Sequence, residues 1–371
     1  MVQEDLGGFG DARLRRVGAR LLEAMGEQPT TCIHALARDR NEALSFGRFL
    51  DHNCVSRDEM LTTAGRFTGQ RAAGRHVLAI QDTTEFNFPR HAASKRGFGR
   101  SGNDRDLGLF LHPTIAVDAA HGGMIGLVGA QVLNRTGAKG DGPKQRTIEG
   151  RESYRWLLAA DEASEMLAGA ATVTMVADRE SDIYEQFARC PKGVHLLTRA
   201  AHDRCLAEAG RLFATVAAWR EQHRETIRVP EQPGREARMA CVALRFGAVS
   251  LRRPTTAGKD LAASVDLFVI DVAEVDAPPG VEALQSCTTC ASCTGTLPAA
   301  WKRPGNEPRK GGREPHNAAS HLMHGAPPHR LCVGHGCSPP RRALASGDGG
   351  RDGRAGPQAA SASQPAAASR S

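Results

Sequence analysis

The sequence lacks any long apolar run, since no stretch approaches the roughly 18 uncharged apolar residues that a membrane-spanning helix needs. Charged residues are spread through positions 1–30, which does not fit the apolar centre of a signal peptide. A disulfide framework is also missing, because the cysteines before residue 285 stand singly along the chain. We therefore expect a cytoplasmic protein with reduced cysteines and no membrane partner.

Residues 1–284 also lack an excess of positive charge. The net charge of +7 would by itself indicate a nucleic-acid-binding protein. Residues 285–371, however, hold 11 Lys and Arg against 4 Asp and Glu, which leaves 37 of each sign in residues 1–284. The overall charge therefore gives no evidence about what residues 1–284 bind.

Large apolar residues become rare at Gln285. Residues 285–371 contain no Ile, Phe or Tyr, one Val, one Trp and four Leu, together with 10 of the 20 prolines. Such a composition cannot bury enough apolar surface to offset the entropy of ordering the chain. We expect residues 285–371 to form a disordered tail without periodic structure.

The chain begins with a pattern typical of helices. In residues 9–25 apolar side chains recur at helical spacing, Asp11 is a suitable cap, and Arg13, Arg16 and Arg20 lie on the opposite side. Ser56 and Glu59 have the spacing of a capping box before another helix. We predict a small helical domain over residues 1–70, whose arginines either form a solvated face or contact DNA phosphates.

From residue 76 the pattern alternates between strands and helices. Residues 71–200 are predicted to form an α/β core with a sheet of mixed direction, whose strands are 76–82, 113–119, 123–130, 172–178 and 193–199 and whose helices are 150–168 and 182–188. Residues 201–284 are predicted to form a β-rich insertion, with a helix over 205–222 and three β-rich runs between 225 and 275.

Two of the predicted strands finish in an aspartate. Asp82 ends the stretch "HVLAIQD", and Asp178 ends "TVTMVAD", where Asp182 can then cap the next helix. If the two strands are neighbours, both carboxylates reach one edge of the sheet. Like charges held so close require a cation between them, and oxygen ligands favour Mg²⁺ or Mn²⁺. The alternative, in which the two acids are unrelated strand ends facing water, stays open at this point.

The same residues resemble the DDE transposases of the insertion-sequence-four family. "LAIQDTTEFNF" is similar to the first-aspartate motif of that family, and "VADRESDIYEQF", followed by "GVHLLTRAAHDR", is similar to the second. The N-terminal "FGDARLRRVGARLLEAM" resembles the helical domain that binds the DNA ends, and "RESYRWLLAADEA" and "VIDVAEVDAPPGVEAL" fall where the family has a helix and a strand. The resemblance covers residues 8–284.

The resemblance implies a function and a cofactor. It implies an RNase H-like catalytic core, Mg²⁺ or Mn²⁺ held by Asp82 and Asp178 as catalytic residues, and cut-and-paste transfer of a mobile DNA element. The expected partner is double-stranded DNA at the element ends, bound by a homodimer. Thr83, Thr84 and Arg179 would shape the site.

The third motif of the family is absent. It consists of a tyrosine, an arginine, the glutamate that completes the metal site and a lysine on one helix after the insertion, but both tyrosines of this chain, Tyr154 and Tyr184, precede the insertion. The strand expected after "VEAL" is replaced by "QSCTTC". We therefore predict a transposase whose strand cleavage is defective, and residues 285–371 are interpreted as a translation in the wrong reading frame. Two alternatives stay open, a non-catalytic protein that occupies element ends and a metal-dependent nuclease whose third acid lies elsewhere.

Overall fold

A computed structural model describes residues 9–88, 97–102, 106–135, 147–232 and 236–292. The first three helices form a cluster with its own apolar core. They are α1 (Ala12–Glu27), α2 (Ile33–Leu36) and α3 (Arg40–Leu50). Asp11 caps α1 by accepting a hydrogen bond from the Arg13 backbone N–H at 2.7 Å, as the sequence predicts. Phe9 and Phe49 meet edge to face with ring centroids 5.5 Å apart, which closes this core.

The fourth helix, α4 (Arg57–Ala72), packs against the sheet rather than against that cluster. Its start at Ser56 agrees with the predicted cap, because the Ser56 hydroxyl accepts from the Glu59 N–H at 3.1 Å. Further along, the Thr68 hydroxyl donates to the Leu127 carbonyl at 2.6 Å, and Ala72 is completely buried. α4 therefore packs with the sheet, and the domain boundary expected at residue 70 stays a prediction.

One mixed sheet of eleven strands organises the rest of the described chain. The strands are β1 (His76–Gln81), β2 (Thr84–Asn87), β3 (Gly99–Arg100), β4 (Leu107–Asp118), β5 (Met124–Leu133), β6 (Thr172–Ala177), β7 (Val194–Arg199), β8 (His223–Val229), β9 (Arg238–Arg252), β10 (Ser264–Glu274) and β11 (Gln285–Ser292). Their order is β5-β4-β1-β6-β7-β11-β10-β9-β8, and β2 and β3 also pair with β4. β1, β6 and β7 run parallel to one another, and every other pairing is antiparallel.

Helices α5 (Tyr154–Met166), α6 (Tyr184–Ala188) and α7 (Leu212–Ala217) complete the described α-helices. Alternate residues of the central strands are buried in the main core together with side chains of α4, α5, α6 and α7; on the strands these are Val77, Ala79, Val173, Met175, Val194 and Leu196. The predicted α/β class with a mixed sheet is confirmed, and the five predicted core strands occur in the predicted order. Within the described ranges no helix is both long enough and apolar enough to cross a membrane.

The insertion differs from prediction in its helix. A helix was expected over 205–222, but α7 has only six residues, Leu212–Ala217. Before it, Cys205 and Arg211 form an isolated antiparallel bridge, and Gly210 has a φ of +90°. This left-handed conformation is one that glycine adopts without steric cost, so the chain reverses here instead of continuing a helix.

The largest difference from the sequence prediction lies at residues 285–292. They were expected to belong to a tail without structure, but they form β11, which pairs with β7 on one side and β10 on the other. Without β11, the facing edges of β7 and β10 would each present unpaired backbone N–H and C=O groups. A strand of any residues except proline can form hydrogen bonds with both edges. Small side chains fill the space, because Thr289, Cys290 and Ala291 are 1%, 4% and 3% exposed. The remainder of the predicted tail, 293–371, lies outside the described residues.

Candidate functional site

Asp82 and Asp178 stand side by side at one edge of the sheet. Each directly follows a central strand, β1 or β6, and these strands are parallel neighbours in which Ile80 pairs with Val176. Two further residues along each strand reach the two aspartates, so the register makes them neighbours at the carboxyl ends of the strands. Both residues are exposed. The expectation that the acids lie on adjacent strands is confirmed.

Each carboxylate accepts a hydrogen bond from a backbone N–H that follows it in the sequence. The Asp82 carboxylate accepts a hydrogen bond from the Thr83 backbone N–H at 2.7 Å, and the Asp178 carboxylate accepts one from the Glu180 N–H at 2.9 Å. Partial desolvation raises the pKa of Asp82, and the neighbouring charge of Asp178 raises it further, whereas the Thr83 N–H and the Arg155 charge lower it. The two carboxylates therefore repel each other, and this repulsion favours the protonated form of Asp82.

A buried polar network lies next to the Asp82 segment. His112, on β4, is 1% exposed; its Nε2 is 3.1 Å from Gln81 Oε1 and its Nδ1 is 2.9 Å from the Thr83 hydroxyl. Burial, with a smaller effect of the Arg155 charge, lowers the pKa of His112 to about 4, so the imidazole is neutral at pH 7. Its ring packs edge to face on Trp156 at 4.5 Å. The contacts of His112 therefore fix the end of β1, which Asp82 directly follows.

Arg155, on α5, connects the two acid-bearing segments, which are the segment after β1 that contains Asp82 and the segment after β6 that contains Asp178. Its Nε donates to the Thr83 hydroxyl at 3.0 Å, its Nη2 to the Glu180 carboxylate at 2.6 Å, and its Nη1 to the Glu152 carbonyl at 2.9 Å. Its side chain is 9% exposed, and the guanidinium carbon lies 5.1 Å from the centre of the Trp156 ring. One buried cation therefore holds the residue after Asp82 and the residue two places after Asp178.

Two further arginines lie near Asp178 at the same edge. Arg199 ends β7 and is half-buried, and Arg179 follows Asp178 and is exposed. Desolvation lowers the pKa of Arg199, the charge of Arg179 lowers it further, and the charge of Asp178 raises it. This side of the acid pair is therefore positively charged, which suits an anionic group placed beside the carboxylates.

The other nearby acids have different partners. Glu85, in β2, accepts from the Gly102 N–H at 2.5 Å, and the Glu180 carboxylate is held by Arg155. Across the described ranges no group of three His, Cys, Asp or Glu side chains could hold a metal ion. Two adjacent, exposed carboxylates nevertheless fit Mg²⁺, which is commonly bound by one or two carboxylates and retains several waters. Asp82 and Asp178 are the residues that would hold it.

The candidate DNA contacts on α1 divide into two kinds. Arg13 and Arg16 are exposed. Arg20 differs from the prediction, because its side chain is 24% exposed and forms ion pairs with Glu23 at 3.0 Å and with Glu42 of α3 at 3.1 Å. Its charge therefore connects α1 to α3, and Arg20 is a weaker candidate phosphate contact than Arg13 and Arg16.

Asp182 also has a role that the sequence did not indicate. It was expected to cap the helix that follows, but α6 begins after Ile183 without a side-chain cap. The Asp182 carboxylate instead accepts from the backbone N–H groups of Ala201 and His202 at 2.7 and 3.0 Å, and from Arg204 Nε and Nη2 at 2.9 and 2.7 Å. It therefore fixes the loop that follows β7.

Sequence reasoning found the two acids but missed the residues that orient them. Arg155 and His112 come from α5 and β4, far from Asp82 in the sequence, and neither belongs to a motif with fixed spacing. The one available signal was an arginine beside a tryptophan on the apolar side of a predicted helix. In the comparison with known protein families, no family model matches the chain.

Proposed function

We propose that this chain is a DDE-type DNA transposase with an RNase H-like core, in a form that lacks the third acidic ligand needed for strand cleavage. The observation that carries the proposal is the register between β1 and β6, which makes Asp82 and Asp178 neighbours at the carboxyl ends of two parallel strands. Arg155 also hydrogen-bonds the residue after Asp82 and the residue two places after Asp178, which supports a shared site over two unrelated strand ends.

The strand order is the second support. β5, β4 and β1 form an antiparallel group, α5 then crosses the sheet, and β6 and β7 are added parallel to β1, so these five strands have the order β5-β4-β1-β6-β7. In this order the two strands that precede the acids are adjacent, as the proposed RNase H-like core requires. β8–β11 continue the same sheet, as an insertion after β7 would.

The residues at this edge have separable roles in the proposed chemistry. A bound Mg²⁺ would stabilise the charge that develops on the attacking and leaving oxygens of a phosphodiester. Asp82 and Asp178 supply the negative oxygen ligands, and the backbone N–H groups of Thr83 and Glu180 fix their direction. Arg179 and Arg199 place positive charge where a DNA phosphate would approach the acid pair.

A second candidate is a protein that binds element ends without cleaving them. It is favoured by the combination of two exposed arginines, Arg13 and Arg16, on one helix of a module with its own core. Such a protein would occupy the ends that an intact transposase needs. The two candidates share DNA binding and differ in whether the acid pair participates in strand cleavage.

Metal binding tests the acid pair directly. We expect the protein to bind Mn²⁺ at one site, and Asp82→Asn and Asp178→Asn each to weaken that binding by about tenfold or more, because each variant removes one of two charged oxygen ligands. Paramagnetic resonance of free Mn²⁺ during a titration measures this. Glu85→Gln is the matched control, since Glu85 is nearby in the sequence but is hydrogen-bonded to Gly102. Equal losses in all three variants would contradict the assignment.

DNA binding tests the cluster of α1, α2 and α3. We expect affinity for duplex DNA to fall steeply with salt, and Arg13→Ala and Arg16→Ala each to reduce the slope of log affinity against log salt by about one, the value for one lost phosphate contact. Fluorescence anisotropy over a salt series gives the slope. Arg20→Ala is expected to leave the slope unchanged, because its guanidinium is paired with Glu42. A slope that is the same in Arg13→Ala, Arg16→Ala and the unmodified protein would exclude α1 as the phosphate-binding element.

A further inference from the structure

The Arg155 guanidinium hydrogen-bonds one side chain from each acid-bearing segment, Thr83 and Glu180. We infer that Arg155 is a positioning residue, which fixes the separation and direction of the Asp82 and Asp178 carboxylates. Its relevance to catalysis depends on the proposed function, but the positioning itself is a property of the metal-free protein. It can therefore be tested separately.

The contacts form two matching chains. On one side, Arg155 holds the Thr83 hydroxyl, and the Thr83 N–H holds the Asp82 carboxylate. On the other side, Arg155 holds the Glu180 carboxylate, and the Glu180 N–H holds the Asp178 carboxylate. In each segment, one residue (Thr83 or Glu180) binds Arg155 through its side chain and the aspartate through its backbone N–H. A movement of Arg155 would change both carboxylates together.

Arginine has the properties that this position requires. Its planar fork presents donors in fixed directions, so a single side chain can hold two groups at a set separation. The helix that carries it is itself fixed, because its neighbours Trp156, Leu157, Ala159 and Ala160 are buried in the core. A buried charge is costly unless it is fully hydrogen-bonded, and here Thr83, Glu180 and the Glu152 carbonyl supply the acceptors.

A competing explanation is that Arg155 only offsets the negative charge of the two acids. The two roles predict opposite effects on cation binding. If charge alone mattered, Arg155→Gln would strengthen Mn²⁺ binding and Arg155→Lys would leave it unchanged. If Arg155 positions the acids, both variants weaken binding, since lysine keeps the charge but cannot reproduce the fork.

The first measurement uses the metal-free protein. We expect amide hydrogen exchange in peptides that cover 82–84 and 178–181 to become at least tenfold faster in Arg155→Gln, while β10 is unchanged. Arg155→Lys should give an intermediate result. If Arg155→Gln fails to fold, Thr83→Val removes one contact of Arg155 and Glu180→Gln weakens the other by removing its charge, and each should speed exchange in both segments. Unchanged exchange in both segments, or faster exchange throughout the protein, would overturn the inference.

The second measurement separates the inference from the proposed function. We expect Arg155→Gln, Arg155→Lys and Thr83→Val to weaken Mn²⁺ binding by about 10- to 100-fold, the usual effect of losing a group that orients a metal ligand. Glu152→Gln is the control for Glu180→Gln. It removes a neighbouring charge, which is paired with Arg135, but it removes no side-chain bond to Arg155. If the unmodified protein binds no Mn²⁺, the proposed function fails, and faster exchange in the variants still supports positioning. Tighter binding in Arg155→Gln would refute positioning.

Discussion

Asp182→Ala is expected to destabilise the protein by about 3–5 kcal/mol, the usual cost of removing one partner from a buried ion pair. The Asp182 side chain is 1% exposed and accepts four hydrogen bonds, two from Arg204 and one each from the Ala201 and His202 backbones. Its loss would leave two backbone N–H groups without their acceptor, and the Arg204 guanidinium, which is 10% exposed, would keep its bond to the Asp182 carbonyl but lose its counter-charge. Urea denaturation at pH 7 measures the change.

Two variants control this experiment. Asp58→Ala removes a carboxylate that pairs with Arg57 at 2.7 Å, but those side chains are 77% and 58% exposed, so we expect a change below about 1 kcal/mol. Asp182→Asn keeps the shape of the side chain but not its charge, and should give an intermediate loss. If Asp182→Ala costs no more than Asp58→Ala, the contacts of Asp182 do not stabilise the loop after β7.

The acid pair could be predicted from the sequence because its cause is local. An apolar run that ends in an aspartate indicates a buried strand meeting solvent, and the pattern occurs at both Asp82 and Asp178. Parallel strands bring their carboxyl ends to one edge, so only the adjacency of β1 and β6 was left to be assumed. The cap at Asp11 was predictable for the same reason, since it depends on residues within one helical turn.

The errors concern features that depend on distant partners. Arg20 has the spacing of a solvent-facing residue, but Glu42 on another helix determines where its charge lies. Asp182 is followed by a helix, but the loop at 201–204 competes for its carboxylate and supplies four donors. β11 has almost no strand pattern of its own and depends on the edges of β7 and β10. None of these partners can be read from the neighbouring residues.

The position of β11 also indicates what an intact relative would need next. Ala177 pairs with Thr198, so Asp178 is level with Arg199, and Arg199 pairs with Thr288. From Thr288, β11 runs antiparallel to β7 and therefore away from the acids. It reaches Ser292 after about 13 Å, at about 3.3 Å per residue. A third acid on a helix that follows would have to return over the sheet, which takes about nine residues at 1.5 Å each.

One face of the sheet has apolar surface that such a helix could cover. On β1, β4 and β6, several apolar residues on the face opposite to the main core are partly exposed. Ile80 is 39% exposed, and Leu78, Ile115, Val117 and Val176 are half-buried. The proposed loss of the third motif therefore has a physical consequence, because apolar surface of this kind promotes association.

If the proposed function is right, restoring the reading frame near codon 285 is expected to give a protein with Mg²⁺-dependent cleavage of element-end DNA. If residues 285–371 are read out of frame, inserting or deleting one or two nucleotides should reveal tyrosine, arginine, glutamate and lysine at the family spacing. A strand should still occupy the position of β11, because β7 and β10 present the same backbone groups. The repaired protein should also associate less, as a returning helix would cover Ile80 and its neighbours.

The measurement is nicking of a labelled duplex with and without Mg²⁺, and the repaired protein carrying Asp82→Asn is the control. Cleavage that survives Asp82→Asn would mean that the activity does not use the acid pair. Absence of the motif in all three frames would show that the sequence after Leu284 is a replacement and not a frameshift. Cleavage by the unrepaired protein, lost in Asp178→Asn, would instead show that the acid pair functions without the third motif. Each result identifies which part of the proposal is wrong, because the acid pair, the third ligand and the reading frame are altered separately.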